Sequence, residues 1–243
     1  MVTLGVKPNF MDYSESERSL VLNAPMILYP TRFYARFLTT MNRPIFPSLE
    51  TYLYADEKIL QTTLYQMLGL NHPRTRFYYA LHHAQIRRDF DFPFIAKLPR
   101  ASSQGRGVFL IENGGDLREY LSKTRVAYIQ ELLPHEMDLR VVLVNYDPVI
   151  AFWRLKAPGS FKTNLSQGGT ALFEDIPEEA VSLAAEYATR CRFNDVGLDF
   201  IRHNGKWYLI EANMKYGRRG LKTRGMDLKA VIREKLLSGQ IKA

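Results

Sequence analysis

A single cysteine, Cys191, stands in 243 residues, so no internal disulfide can form and the fold must be held by packing. Cys191 falls in a predicted helix, Glu178 to Arg192, where a small packed side chain is a simpler role than a catalytic thiol. Uninterrupted apolar runs of membrane-span length are missing. The opening MVTLGVKPNFMDYSESERS has no basic region followed by an apolar core and a cleavage site, so no secretory signal is expected and the expected setting is cytoplasmic. Zinc-finger spacing, a basic zipper and an aromatic RNA-binding signature are also lacking, which leaves nucleic acid an unlikely partner. There is no P-loop, no dinucleotide fingerprint and no persuasive Ser, Cys or His triad.

What is present is an ordinary globular composition, 46% hydrophobic and 24% charged, on a chain long enough for one large domain or two small lobes. The net charge of +8 admits a nucleic-acid surface, a membrane surface or a pocket for anionic ligands such as nucleotide phosphates and carboxylates. The basic residues are scattered. Their densest group is Lys215, Arg218, Arg219, Lys222 and Arg224.

The most informative stretch is VGLDFIRHNGKWYLIEAN, Val196 to Asn213. Two apolar runs flank His203-Asn204-Gly205, a turn signal, and predict a β-hairpin. Asp199, Glu211 and Asn213 interrupt those runs, although strands this apolar normally exclude carboxylates. Side-chain parity constrains them. A two-residue Asn204-Gly205 turn in plain register sets Asp199 opposite Ile210 and sends Glu211 to the other face. A three-residue loop with Gly205 left-handed, or an equivalent bulge, restores one shared face. The three-residue loop would pair Asp199 with Leu209; parity leaves it and the bulge both open. On one face, diagonal neighbours lie roughly 7–8 Å apart, a gap that one or two oxygen-loving divalent ions can bridge.

Upstream, residues 1 to about 54 are expected to be an irregular packed cap, punctuated by Pro8, Pro25, Pro30, Pro44 and Pro47, with a short helix around Thr31 to Met41. Ala55 to Leu70 predicts a helix with Ile59, Leu60, Leu64, Met67 and Leu68 on its apolar face, ending near Gly69. Lys58 in its first turn gains nothing from the helix dipole, so a bound anion nearby makes better electrostatic sense. Phe92 to Leu98 and Val108 to Ile111 predict strands around SSQGRG, a small-residue loop whose backbone can approach phosphate oxygens while Lys97 supplies charge from a strand. Short helix and strand signals follow at Asp116 to Lys123 and Ala127 to Leu133, then two alternating strands, DLRVVLVN and PVIAFWRLKA, lead to PGSFKTNLSQGG. Asp138, Arg140, Arg154 and Lys156 interrupt them, and convergent cations beside a carboxylate hairpin suit an anionic substrate and a triphosphate. A last amphipathic helix is expected from about Asp227 to Leu237.

Taken together, the order Lys58, Lys97, SSQGRG, QELL, DLR, WRLK, KTNLSQGG, GLDF, IEAN resembles the ATP-grasp superfamily, in particular its RimK-like glutamate ligase branch, over about residues 50 to 240. The resemblance implies an α+β, ATP-grasp fold in which two lobes clasp ATP. It implies a shortened N-terminal segment at 1–54 and an ATP-grasp domain at 55–243, with a small lobe of about 55–131 and a large lobe of about 132–243. It implies that Lys58 and Lys97 face the nucleotide phosphates, that Gln104, Gly105 and Gly107 belong to the phosphate-covering loop, and that Glu131 and Leu132 form the adenine hinge. Asp138 matches a ribose-contacting acid, Lys162 and Asn164 a nucleotide- and substrate-facing pair, and Asp199, Glu211 and Asn213 the ligands of two Mg2+ ions, with Mn2+ as a possible substitute. Arg140, Arg154 and Lys156 are the candidate catalytic cations.

The implied activity is ATP-dependent ligation of a small-molecule or peptide carboxylate to an amine through an acyl-phosphate. The alternative is an ATP-grasp-like protein that binds nucleotide without turnover, as a binding or regulatory module. Two departures stand out. MKYGRRG replaces the family's small-Pro-Gly turn after the metal-binding Asn, and the first 50 residues are shorter than the usual N-terminal domain. An unusual substrate, a homo-oligomer or partner protein that completes the site, or a loss of catalysis is expected from the second.

Overall fold

The computed structural model describes residues 3, 5, 7–100, 107–156, 170–216 and 219–242. The N-terminal segment is more ordered than its prolines suggest. Ser14 accepts from the Glu17 N–H while the Glu17 carboxylate returns to the Ser14 N–H, a capping box that opens α1 (Glu15–Asn23). Thr31 and Ser48 cap α2 (Arg32–Thr40) and α3 (Leu49–Leu53) by accepting the Tyr34 and Thr51 N–H groups. Between them β1 (Ile27–Leu28) pairs in parallel with β2 (Ile45–Phe46). Pro25, Pro30, Pro44 and Pro47 all fall in the connections: they mark boundaries between elements, not a lack of them.

Helix α4 (Lys58–Leu68) starts three residues later than its periodicity predicts, because Asp56 adopts φ 59° and the chain cannot wind until past it. It closes at Gly69 with φ 61°. The face it buries is only partly the predicted one: Leu64 and Leu68 pack against the core, but Lys58, Gln61, Thr62 and Tyr65 are the residues turned fully inward, while Leu60 and Met67 are exposed.

The first large layer follows. Strand β3 (Thr75–Tyr79), a 3-10 turn at Ala80–Gln85, α5 (Ile86–Asp89), β4 (Phe94–Lys97), β5 (Val108–Ile111), α6 (Gly114–Leu121) and β6 (Val126–Glu131) form an antiparallel sheet of order β3-β6-β4-β5. Its inward residues, among them Tyr78, Phe94, Ala96, Ile111 and Ile129, pack with Leu117 and Tyr120 of α6.

The second sheet comprises β7 (Met137–Val144), β8 (Asp147–Leu155), β9 (Thr170–Leu172), β10 (Asp195–His203) and β11 (Lys206–Asn213), antiparallel in the order β11-β10-β7-β8-β9. Helix α7 (Glu178–Cys191) lays Ala180, Ala184, Tyr187, Ala188 and Cys191 against Leu139, Val141, Leu143 and Phe200. These positions recur at helical spacing, and the small alanines permit close approach to the sheet. Cys191 is buried, as expected, and desolvation pushes its thiol up to about 12. α8 (Arg219–Thr223) and α9 (Leu228–Leu237) complete the chain. The fold is α+β. Among the described residues no helix is long and apolar enough to cross a membrane.

Candidate nucleotide and metal site

The hairpin β10–β11 reaches the shared face by the second of the two routes that parity allows, a bulge. The loop has two residues: Asn204 (φ 48°) and Gly205 (φ 76°) are both left-handed and His203 pairs with Lys206, the geometry of a type I′ turn. The register then shifts between Asp199 and Phe200. Phe200 pairs with Leu209 but Asp199 pairs with Glu211, leaving Ile210 as the extra residue of a bulge. The bulge, not a left-handed third loop residue, sets Asp199 opposite Glu211, with Asn213 opposite Gly197 on the same face. The Asp199–Leu209 pair that a three-residue loop would bring does not form.

Strand β11 is a sheet edge, and edges are normally covered or blunted. Here α4 covers it. Gln61 donates from Nε2 to the Ala212 carbonyl (2.8 Å) and accepts the Ala212 N–H at Oε1 (3.2 Å), mimicking a neighbouring strand. Further along, the Asn71 carbonyl accepts the Leu209 N–H and its amide donates to the Trp207 carbonyl. This clasp carries Lys58 to the carboxylate face, where its Nζ lies 3.2 Å from Glu211 Oε1. Lys97, the last residue of β4, arrives from the other sheet. It is buried, its Nζ lies 5.6 Å from the Tyr128 ring centre, and burial lowers its pKa to about 8, partly opposed by the Glu211 charge. Two lysines from separate elements thus converge on one hairpin face.

Asp199 is the most heavily bonded group there. Arg140 binds it in a fork (Nε to Oδ1 and Nη2 to Oδ2, both 2.6 Å), Arg154 Nη2 reaches Oδ2 at 2.8 Å, and the Asn213 amide donates to Oδ2 at 2.9 Å. Burial alone would raise Asp199, but Arg140 and Arg154 outweigh it and hold the carboxyl below its ordinary value. Arg154 is itself buried and forks onto Asp138 at 2.6 and 2.7 Å. The two acids push its guanidinium pKa above its ordinary value against desolvation. Asp138, matched to a ribose contact, is 3% exposed and faces Arg154 in this geometry. The arrangement is an Asp–Arg–Asp–Arg chain across β7, β8 and β10, in which neighbouring charges alternate in sign.

The stretch after β6 connects the two sheets. The Glu131 carboxylate accepts the Arg74 N–H at 2.6 Å, which fixes the strand end next to Leu132. Lys156 donates to the His135 carbonyl on the same connection. Burial lowers the His135 pKa. Gly107 accepts the Leu98 N–H through its carbonyl at the base of the glycine loop. Gln104, Gly105, Lys162, Asn164 and Arg218 lie outside the described residues, as does most of both glycine loops. Among the described residues no three His, Cys, Asp or Glu side chains gather. The oxygen set is Asp199 and Glu211 with the amide of Asn213.

Sequence reasoning missed Gln61, Asn71 and Tyr216. Gln61 had a signal: a polar residue at helical spacing from Lys58 and Tyr65. Tyr216 had one as well, since it stands in the turn that departs from the family pattern.

Two antiparallel sheets, one of them carrying the carboxylate hairpin, with flanking helices, make up an α+β fold of the ATP-grasp class. Residues 55–236 match the family model described as the RimK-like ATP-grasp domain, and the chain belongs to that family, whose members bind ATP. A protein of Parasynechococcus marenigrum (strain WH8102) named probable alpha-L-glutamate ligase is 30% identical over 218 residues, 84% of this chain and 46% of the relative. Its namesake from Xanthomonas euvesicatoria pv. vesicatoria (strain 85-10) is 31% identical over 58% of this chain and 50% of its own length. The chain spans about half the length of these curated relatives. In fold it is similar to a RimK domain ATP-grasp protein from Sphaerobacter thermophilus (TM-score 0.65, 14% identity, 83% of this chain and 77% of that one). It is also similar to the ATP-grasp ligase PsnB complexed with a precursor variant, Mg and ADP (TM-score 0.63, 18% identity, 91% and 67%).

Proposed function

We propose that the chain is an ATP- and magnesium-dependent carboxylate–amine ligase. The observation that carries this reading is the carboxylate face of Asp199, Glu211 and Asn213, with Lys58 on Glu211 and the charge of buried Lys97 felt from Glu211 and Asp199. Family membership and the names of the relatives support it.

The donor set suits a hard divalent cation: two carboxylates paired across the hairpin and an amide oxygen. Glu211 retains 31% side-chain exposure with Lys58 beside it, so its carboxylate is reachable. Asp199 offers less, because one of its oxygens already accepts three donors. Glu211 and Asn213 would therefore be the principal holders, with Asp199 contributing through Oδ1. Magnesium bound there would spread the charge of the transferring phosphoryl group.

The chain's own residues supply the rest. Lys97, charged below about pH 8, and Lys58 neutralise phosphate oxygens from two sides. Glu131 and Leu132 form the hinge against which the nucleotide base sits, and Lys156 holds that connection in place through His135. Arg140, on the open side of the Asp199 fork, is the cation proposed to meet the γ-phosphoryl or the substrate carboxylate; Arg154 keeps Asp199 and Asp138 in position. The proposed chemistry is transfer of the γ-phosphoryl of ATP to a carboxylate, followed by displacement of phosphate by an amine. The carboxylate and amine, small molecule or peptide, are open. Carboxylate-dependent release of ADP and phosphate tests the proposal: Glu211→Gln and Lys97→Ala should each abolish it, and normal turnover in both would refute it.

A second reading, nucleotide binding without ligation, is favoured by the saturation of Asp199. Binding of Mg·ADP with no turnover across a broad acid and amine panel would select it.

A further inference from the structure

Tyr216 follows the β10–β11 hairpin, three residues after Asn213. It is buried, and its hydroxyl donates to Asp195 Oδ1 at 2.8 Å. Its backbone carbonyl accepts from Arg140 Nη1 at 2.9 Å, while the same guanidinium forks onto Asp199. The tyrosine crosses β10 directly over Gly197: a Cβ placed there would lie 2.5 Å from the Tyr216 Cβ, so only glycine admits this path. The other oxygen of Asp195 accepts from the hydroxyl of Tyr29 at 2.9 Å. Tyr29 belongs to the N-terminal segment and is held at φ 49°, an unfavourable conformation for an aromatic residue that the surrounding contacts must stabilise. A buried carboxylate on β10 thus receives one hydroxyl from each of two segments remote in sequence. One of those segments also positions the cation of the nucleotide face.

We propose that Asp195, Tyr216 and Tyr29 are positioning residues: they set Arg140 against Asp199 and make the N-terminal segment a working part of the nucleotide site. The chain Tyr29–Asp195–Tyr216–Arg140–Asp199 runs from the N-terminal segment to the carboxylate face. The functional half of this inference rests on reading that face as the Mg–nucleotide site; the structural half does not.

The test follows the Arg140 Nε–H by 15N NMR, assigned by its loss in Arg140→Lys, together with calorimetric titration of Mg·ADP. In Tyr216→Phe the ring and its contact over Gly197 remain but the hydroxyl bond to Asp195 is lost. Solvent exchange of the Arg140 Nε–H should accelerate by at least about fivefold, and the Mg·ADP dissociation constant should rise by a similar factor, the scale of one hydrogen bond to a charged acceptor. Tyr29→Phe, which breaks the other bond, should shift both in the same direction, by about twofold or more. Unchanged Arg140 exchange in Tyr216→Phe, whatever its melting temperature, overturns the proposal and leaves the tyrosine a packing residue. Faster exchange with unaltered Mg·ADP affinity also overturns it, since Arg140 would then be positioned to no effect on the site. Faster exchange in a protein whose wild type binds no Mg·ADP upholds the relay and refutes the nucleotide-site reading instead.

Discussion

Replacing Arg154 by methionine should be among the most destabilising single changes in the large sheet. Arg154 is 4% exposed, forks onto Asp138 and reaches Asp199 at 2.8 Å. Methionine fills much of the volume but leaves Asp138, 3% exposed, without its bidentate partner, while Asp199 retains the Arg140 fork. Breaking a buried pair from one side costs about 3–5 kcal/mol. In a protein of this size that lowers the melting temperature by about 6–20 °C. Arg154→Lys should fall between methionine and wild type, because a point charge can serve only one of the two carboxylates well. Urea denaturation with melting curves at neutral pH measures both. The acid limb adds a signed test. Asp199 has a folded pKa below its unfolded value, so its contribution is fully present above about pH 4 and is lost as the pH falls through the folded pKa. With one of its two cations removed, that loss should begin at a higher pH. An Arg154→Met protein that melts within about 2 °C of wild type would refute the Asp–Arg–Asp–Arg chain and return Asp138 to the ribose-contacting role that its sequence position suggests.

Lys97→Met should separate stability from function. Burial lowers Lys97 from 10.5 to about 8, which corresponds to about 3 kcal/mol against folding with the charge in place; the variant should gain up to about that much in urea while losing nucleotide affinity, and a loss of stability would contradict the assignment. Because Lys97 carries its charge only below about pH 8, wild-type Mg·ADP affinity should fall as the pH rises through that value, a dependence absent in Lys97→Arg. Asp195 is raised from 3.8 to about 6 by burial, against the two tyrosine bonds, so folding stability should decline between about pH 4 and 6 as it ionises, by at most about 3 kcal/mol; Asp195→Asn should flatten that limb in pH-dependent denaturation. Gln61→Leu strips the Ala212 N–H and C=O of their partner and should cost about 2–3 kcal/mol in the same assay, with faster amide exchange along β11.

The parts of the fold that repeat a local pattern were legible. The hairpin strands, α7 and the strands at 94–97 and 108–111 follow from alternation or helical period, and the family resemblance supplied the α+β fold class. What was not legible depends on contacts between distant segments. The inward face of α4 includes polar residues because Gln61 and Lys58 serve β11, whose Ala212 lies 151 residues from Gln61, a partner that no local period reveals. The bulge at Ile210 leaves no compositional trace, since isoleucine suits a regular strand equally well. Parity could state that Asp199 and Glu211 needed a register correction but not whether the turn or the strand would provide it. Asp138 and Arg154 read as cleft-facing charges in sequence because each alone interrupts an apolar strand. In space they satisfy one another.

Calorimetric titration of ADP, with and without magnesium, against wild type and Glu211→Gln tests the proposed nucleotide–metal face most directly. Wild type should bind ADP more tightly by about tenfold or more when magnesium is present, and Glu211→Gln should lose that dependence while remaining folded. Equal affinity with and without magnesium in wild type, or an undiminished magnesium effect in Glu211→Gln, would contradict the assignment of the Asp199–Glu211–Asn213 face.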